Sequence, residues 1–523
     1  MPPPEIEART QAIGRALLAE MDRYRPRVDE QVEDWLLSHA VADERFRTRL
    51  LRFLDVLAAF NGPGTADEVQ ELFHEYFADD FPGIPRPLRW LMRLARNEQV
   101  PASVVAEASR RAAQVFARRF ITVPGEAGVH TLVESLAKTG RAPSFDLLGE
   151  AVLSAGEADA YESRYLALIA ELAREPSARS RTIGGQPTLQ VSLKLSSLTH
   201  HFSPVDPRGS VERVVPRLVR IGEAARAAGV GLAVDAEQYE TRDIVWDAFR
   251  AAFGAGTSLG DWEDAGIVVQ AYLRDVESQV EAVIEWARER GRPFQVRLVK
   301  GAYWDYETAI AAANRWPPPV FQVKDASDRS FDRCVERLLD ASGHVNLAIA
   351  SHNPRSHAYA RALAEARGLP AGAIEHQTLH RTLEAMSRAL AAQGWPARDY
   401  VPVGELLPGM AYLVRRILEN SSQTGFLMRS RQEVSDDELL APPPEKPDPP
   451  AIAPDGAGFE RAPAGRWFDA AFRAAFDKAL AVAQSSPRAR LVLPAGVEAA
   501  RTIEVHSPSD PDGPPVAVVD LAG

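Results

Sequence analysis

The chain has 523 residues, 46% of them hydrophobic and 25% charged, and a net charge of −12. That balance describes a soluble globular protein of two or three domains and argues against nucleic acid as a partner, since backbone-phosphate binding rests on clustered Lys and Arg. A single cysteine, Cys334, excludes an internal disulfide, and no apolar run approaches the roughly 20 residues of a membrane-spanning helix.

Met1-Pro2-Pro3-Pro4-Glu5 lacks the basic and then apolar pattern of a secretion signal, so a cytoplasmic protein is expected. Residues 1–135 read as an all-helical arm and α-domain. Leu17, Leu18 and Met21, then Trp35, Leu36 and Leu37, then Leu50, Leu51, Leu54 and Leu57 recur at helical spacing. Pro82, Pro85 and Pro87 interrupt the pattern, and Trp90, Leu91 and Leu94 restart it. The basic segment from Arg110-Arg111 to Arg118-Arg119 reads as a solvated helix face.

Over 136–430 short apolar runs alternate with helical stretches. The runs are Ser144–Leu148, Leu189–Ser196, Gly231–Asp235, Gly266–Ala271, Phe294–Lys300, Val345–Ser351, Ile374–Thr378 and Tyr400–Val403. Their spacing fits a strand plus a crossover helix, with helical sequence at Val211–Ala228, Val276–Arg290 and Ser356–Arg367. Eight such units favour an α/β fold of the closed (β/α)8 barrel type, although six or seven would suit an open doubly wound sheet equally well.

Residues 431–460 turn acidic and then proline-rich, in Ala441-Pro-Pro-Pro-Glu-Lys-Pro-Asp-Pro-Pro450, which reads as a semi-rigid, unpacked linker. A short α/β tail follows over 461–523, with a helix near Trp467–Val482 and a strand at Pro515–Val519 that has no visible partner. The chain reads as cut short there.

In a (β/α)8 barrel the active site gathers at the C-terminal ends of the strands, where polar residues are informative. Here the expected strands end in Lys194, Asp235, Gln270, Arg297 with Lys300, His352 with Asn353, Gln377 and Tyr400. Period two places Ser192, Lys194 and Ser196 on one face. Each residue alone has a bland reading: a solvated strand end, or a hydrogen-bonded scaffold histidine. Seven successive strands with a polar group at that end point instead to a catalytic pocket.

Arg415 and Arg416 lie among apolar residues on the expected eighth helix. Adjacent helix positions diverge by about 100°, so the two cannot both face the core. One salt-bridged and one solvated arginine, with Glu419 as partner, is one reading. Two forks meeting one carboxylate, with Lys194 as a third cation, is the other. These residues alone leave the two readings open.

Several strings together resemble the proline dehydrogenase domain of the bifunctional proline utilization A flavoenzymes. They are Val191-Ser-Leu-Lys-Leu-Ser196, Val234-Asp-Ala-Glu237, Arg297-Leu-Val-Lys-Gly-Ala-Tyr-Trp-Asp305, Ser351-His-Asn353, Tyr400-Val-Pro-Val-Gly404 and Tyr412-Leu-Val-Arg-Arg-Ile-Leu-Glu-Asn420. The match runs in family order from about 143 to 430, and residues 1–135 resemble the arm and α-domain that precede the barrel in that family. Its DNA-binding ribbon-helix-helix module has no counterpart here. Residues 501–519 resemble the opening of the family's aldehyde dehydrogenase half, without the catalytic cysteine or coenzyme domain of that half. No oxidation of glutamate semialdehyde is therefore expected from this chain.

The resemblance implies oxidation of L-proline to Δ1-pyrroline-5-carboxylate by hydride transfer to N5 of FAD, with electrons passed to a quinone, in catabolism toward glutamate. It further implies peripheral association with the inner face of the membrane, and either a homo-oligomer or an aldehyde dehydrogenase half as partner. It assigns Lys194, Arg415 and Arg416 to a carboxylate clamp, Glu419 to orienting the arginines, Tyr400 to a wall against the proline ring, and Asp235 to organising the site. Arg297 matches a residue near the flavin N5 edge, where a cation stabilises reduced flavin. Ala236, Gln270, Lys300, Gly301, Ala302, Trp304, Ser351 and His352 match flavin-contacting positions, and no metal is implied. Gly301 and Ala302 would let the backbone approach a planar cofactor. His376 and His380 depart from the pattern of many relatives, and Cys334 reads as packed in a helix.

Two further readings remain. Lys194 or Lys300 could form a Schiff base with a carbonyl substrate in a barrel lyase. A non-catalytic scaffold would instead use the unpaired strand at Pro515–Val519 for assembly.

Overall fold

A computed structural model describes residues 3–24, 43–404, 434–449 and 463–522, apart from short interruptions at 58–59, 61–63, 80, 82, 85, 98, 119–120, 123–125, 150–151, 486–487, 490–498, 507, 509–511, 514 and 516. The chain forms two compact units, Met1–Gly456 and Ala457–Gly523.

The first unit is built on eight parallel strands closed into a barrel in sequence order. They are β1 (Arg141–Leu147), β2 (Gln190–Leu193), β3 (Gly231–Val234), β4 (Ala265–Gln270), β5 (Phe294–Val299), β6 (Val345–Ala350), β7 (Ile374–Leu379) and β8 (Ala397–Val403). β8 closes onto β1 in unbroken register from Arg141 with Ala397 to Leu147 with Val403. All eight expected runs are strands. Parallel strands buried on both faces read as continuous apolar runs, which is why Leu232, Val234, Ile267, Val269, Val296 and Leu298 marked them. β1 and β8 each begin three residues before the expected start, at Arg141 and Ala397. Charges hid those ends: Arg141 pairs with Asp399 at 3.0 Å and Arg398 with Glu375 at 2.8 Å, all four buried. Neutralised in pairs, they sit inside strands that their charge alone argues against.

Helices return the chain between strands. In the crossover helix Val276–Arg290 the buried residues Val276, Val280, Val283, Ile284 and Ala287 form one stripe facing the barrel. The crossover helix Pro207–Ala228 begins on Asp206, whose side chain accepts from Gly209 N, and stops at Gly229, where φ is 75°.

Before the barrel, the arm helix Pro4–Arg23 lays Ile13 and Leu17 against Ala358, Ala362, Met386, Leu390 and Trp395. Glu7 on that helix receives a two-pronged ion pair from Arg355, at 2.9 and 3.0 Å. A separate aromatic cluster of Phe46, Phe53, Phe77 and Phe81 holds the helices Glu44–Leu57 and Ala66–Phe77 together.

Residues 434–449, the described part of the segment expected to be an unpacked linker, are anchored to the first unit, although none of residues 441–449 is buried. Leu440 is fully buried, and its carbonyl accepts from Gln11 at 2.6 Å and Arg355 at 3.1 Å. Asp448 Oδ1 accepts from the backbone of Gln322 and Val323 at 2.7 and 2.8 Å. Proline fixes the chain in an extended form, and two anchors at its ends convert that stiffness into a strap.

In the second unit a helix, Ala470–Ser485, gathers Trp467, Phe472 and Phe476, with ring centroids as close as 4.8 Å. A three-stranded sheet completes it. The strand expected to lack a partner is its central member: Ala517–Ala522 pairs antiparallel with Ala499–Val505 and parallel with Arg488–Ala489. This removes the unpaired edge on which the scaffold reading rested.

Candidate active site

A cavity of about 240 Å³ opens at the C-terminal end of the barrel, lined from every strand by residues including Asp146, Lys194, Asp235, Gln270, Arg297 and Tyr400. Period two explains the convergence. In-register neighbours around the barrel point the same way, so each strand contributes alternate side chains to the interior.

The interior charges form one connected network. Arg297 crosses the barrel, donating through Nη1 to Ser192 Oγ and Asp235 Oδ1, each at 2.8 Å, and through Nη2 to Gln190 Oε1 at 3.0 Å and Ser144 Oγ at 3.3 Å. Asp235 Oδ1 also accepts from Ser192 at 2.9 Å, and its Oδ2 accepts the Tyr400 hydroxyl at 2.7 Å. Lys194 Nζ lies 2.7 Å from Asp146 Oδ1 and 3.7 Å from Asp235 Oδ2. The four charged groups number two cations and two carboxylates.

Electrostatics favour the protonated forms of Lys194 and Tyr400. Burial works against the Lys194 charge, but Asp146, Tyr400 and Asp235 outweigh it and hold the ammonium well above its ordinary range. Burial, reinforced by Asp146 and Asp235, pushes the Tyr400 phenol well above its ordinary value, so it keeps the proton it donates. The Asp146 carboxyl is raised by burial, lowered in part by Lys194 and raised again by Asp235.

The rest of the wall combines small apolar groups with polar ends. Ala236, Val268, Val299, Ala302, Ala350 and Leu379 line it beside Gln270, Lys300, Ser351, His352 and Gln377. Lys300 pairs with Asp328 at 2.5 Å. Burial would raise that carboxyl, but Lys300 and Lys324 bring it down to about 2. His352 Nε2 accepts from Leu379 N at 3.1 Å, which puts the proton of the neutral ring on Nδ1. Gln377 Oε1, Thr378 Oγ1 and Arg297 Nε are buried without a hydrogen-bond partner.

Of the residues expected at the site, Lys194, Asp235, Ala236, Gln270, Arg297, Lys300, Gly301, Ala302, Ser351, His352 and Tyr400 line this one cavity. Trp304 does not. It is 40% exposed, and its indole donates to Phe321 O at 2.8 Å. Gly301 lines the cavity for another reason than close backbone approach alone: its φ is 133°, and a Cβ there would fall 2.4 Å from the Tyr272 ring. Arg415, Arg416 and Glu419 lie outside the described residues. Asp146 was missed, although an aspartate two residues after Ser144 inside a buried strand was a readable signal.

Residues 129–429 match the proline dehydrogenase family, and residues 7–120 match the proline utilization A N-terminal domain. The chain is 31% identical over 341 residues to the bifunctional protein PutA of Escherichia coli, covering 64% of this chain and 25% of that one. It is 31% identical over 231 residues to mitochondrial proline dehydrogenase 1 of Homo sapiens, covering 42% of this chain and 37% of that one. A crystal structure of proline utilization A from Bdellovibrio bacteriovorus, inactivated by N-propargylglycine, superposes with a TM-score of 0.84 at 30% identity, covering 100% of this chain and 53% of that one. The chain thus spans about a quarter of its bacterial sequence relative and about half of that solved structure. It belongs to the proline dehydrogenase family of oxidoreductases, in the form that follows a proline utilization A N-terminal domain.

Proposed function

We propose that this chain oxidises L-proline to Δ1-pyrroline-5-carboxylate with FAD held at the barrel mouth, passing the electrons to a quinone in proline catabolism toward glutamate. The observation that carries this reading is the convergence of Lys194, Asp235, Arg297 and Tyr400 on one cavity in a chain of this family.

The residues present suit a flavin. Gln377 Oε1, Thr378 Oγ1 and Arg297 Nε are unpartnered acceptor and donor atoms beside an apolar wall, a pattern that matches a flat ring with polar edges. Ala236, Gln270, Arg297, Lys300, Gly301, Ala302, Ser351 and His352 would hold it. When bound, FAD supplies the hydride acceptor at N5. Lys194, with Arg415 and Arg416 oriented by Glu419, would bind the substrate carboxylate, and the Tyr400 ring would face the pyrrolidine. Asp235 acts by fixing Arg297, Ser192 and Tyr400, because each of its oxygens already accepts hydrogen bonds.

The lyase alternative loses support. A Schiff-base lysine needs a neutral amine, whereas Lys194 is held above its ordinary range and Lys300 is paired with Asp328. A quinone acceptor would be met at a membrane surface, so peripheral association of a cytoplasmic protein belongs to the proposal. No described helix is long and apolar enough to cross a membrane. An aldehyde dehydrogenase half or a second copy of the chain is the proposed partner.

The test is the visible spectrum of the purified protein before and after anaerobic L-proline. A flavin spectrum that bleaches is expected. A flavin unmoved by proline would overturn the substrate, and failure to bind FAD on reconstitution would overturn the whole reading.

A further inference from the structure

Oxidation of proline raises a question of proton accounting. Near neutral pH the substrate nitrogen is a secondary ammonium with no lone pair, and departure of a hydride from the neighbouring ring carbon needs that lone pair to form the C=N bond. One proton must therefore leave the nitrogen first, and a group positioned in the pocket can take it. Resting on the function proposed above, we propose that Asp146 is that group, accepting the ammonium proton at its Oδ2.

The carboxylates in and beside the cavity differ in free valence. Asp235 is committed, with Oδ1 bound by Ser192 and Arg297 and Oδ2 by Tyr400. Protonating it would break contacts that hold Arg297 in place. Glu237 accepts from the backbone N of Ser196 at 3.1 Å and from the Ser196 hydroxyl. Asp146 differs: Oδ1 meets Lys194 at 2.7 Å, while Oδ2 is buried with no hydrogen-bond partner. A carboxylate oxygen carries about two acceptor sites, and leaving both empty away from water is costly. That arrangement suits a donor that arrives with the substrate.

Its surroundings suit a proton acceptor. The groups facing Asp146 are Lys194 just past β2, Asp235 just past β3, Tyr400 from β8 and Tyr165 from the helix Ala155–Leu172. Tyr165 is fully buried, and its hydroxyl also lacks a partner. Burial and the nearby Asp235 charge raise the carboxyl above the ordinary range, against the pull of Lys194 and a smaller one from the Tyr400 phenol, which brings it toward the basicity a proton acceptor needs. Lys194 then links two events, since its Nζ both holds Asp146 and stands where the substrate carboxylate is proposed to bind.

The step balances. An N–H bond of the ammonium breaks with its electron pair left on nitrogen, and an O–H bond forms at Asp146. The neutral amine then forms C=N as the neighbouring carbon gives up a hydride, two electrons and a proton together, to the oxidised flavin.

The experiment compares wild type with Asp146→Asn by stopped-flow anaerobic flavin reduction across pH. At neutral pH the variant should be slower by about 100-fold, the low end of the range for a general base. The deficit should close as pH rises through the titration of proline's own ammonium, because solution then delivers the neutral amine. Binding of tetrahydrofuran-2-carboxylate, which has the carboxylate but no ammonium, should be retained. A wild-type rate at neutral pH, or a deficit that stays constant with pH, would overturn the assignment. If the variant lacks flavin, Asp146→Glu replaces it. That variant should move the acid limb of the rate profile, and an unmoved limb counts against Asp146. Flavin-loaded wild type that proline does not reduce is a distinct result, overturning the proposed substrate and this inference together.

Discussion

Arg398 on β8 grips Glu375 on β7 with two parallel bonds inside the barrel, Nε to Oε1 at 2.8 Å and Nη2 to Oε2 at 2.9 Å. Its remaining hydrogens go to backbone carbonyls of Pro143, Pro187 and Thr188. One side chain thus ties β7 and β8 to β1 and to the entry of β2, where the barrel closes.

Removing that arginine should be expensive and pH-dependent. Arg398→Met leaves Glu375 buried without its countercharge, at an expected cost of about 3–5 kcal/mol in urea unfolding at neutral pH. Burial would raise the Glu375 carboxyl, but Arg398 and Gln377 hold it below its ordinary value. A folded pKa below the unfolded one contributes stability that is fully present above about 4.3 and is lost as pH falls through the folded value. In the variant Glu375 can protonate, so the gap between wild type and Arg398→Met should shrink from pH 7 toward pH 3. A gap independent of pH would mean that lost packing, and not an orphaned charge, sets the cost.

The paired histidines should act over a different pH window. His357 Nε2 donates to Ser351 O at 2.8 Å, so its Nδ1 is bare and accepts from Nδ1 of His376 at 2.9 Å. Burial brings His357 down to about 4 and His376 well below its ordinary value. With the folded pKa below the unfolded one, protons favour the unfolded chain, and stability falls as pH drops from about 6.5 to the folded value. For His357 alone this amounts to a loss on the order of 3 kcal/mol. Replacing His357 by Asn should flatten the stability curve between pH 6.5 and 4, as read by thermal unfolding. An unchanged slope would show that other groups carry it.

The strand ends were legible because period two and apolar runs are local properties. Lys194, Asp235, Gln270, Arg297 and Tyr400 could be placed from their own strands alone. What escaped depended on partners far along the chain. Asp146 meets Lys194 from 48 positions away and Gln190 meets Arg297 from 107, distances that no local pattern encodes. The strap escaped for a related reason. Its composition is that of a linker, and contacts such as those of Leu440 and Asp448, with residues 85 and more positions away, make it part of the first unit. Trp304 went the other way: it falls next to cavity-lining residues in sequence, but the first turn of its helix carries it out.

The strap offers a third test. Asp448 bridges the backbone nitrogens of Gln322 and Val323 and pairs with Arg274 on the far side. Losing a carboxylate cap of this kind costs roughly 0.5–2 kcal/mol. For Asp448→Ala that cost should fall on local opening of the strap, leaving global unfolding largely as it was. A glutamate-specific endoprotease should then cut after the exposed Glu445 several-fold faster than in wild type, while the thermal midpoint of the barrel moves little. Equal cleavage rates would mean that the other anchors of the strap, at Leu440 and Lys446, hold it down without Asp448.

The carboxylate clamp gives the last prediction, and it separates binding from chemistry. Lys194 is already held by Asp146, so the proposed substrate carboxylate cannot rely on that cation alone. Arg415 is proposed to supply a planar fork that binds ground state and transition state alike. Arg415→Met should therefore raise KM for proline strongly, with a much smaller effect on kcat and with FAD still bound. Tyr400 should behave differently. Its hydroxyl donates to Asp235, and its ring centroid lies 5.3 Å from the Arg297 guanidinium, so Tyr400→Ser removes a wall and loosens the network behind it. The ratio of kcat/KM for proline over ring-hydroxylated proline should fall in Tyr400→Ser and hold in Arg415→Met, since only the former changes what faces the ring. A KM unchanged in Arg415→Met would take Arg415 out of the clamp and leave the carboxylate to Lys194 and Arg416, and a fixed ratio in Tyr400→Ser would place the selective wall elsewhere in the cavity.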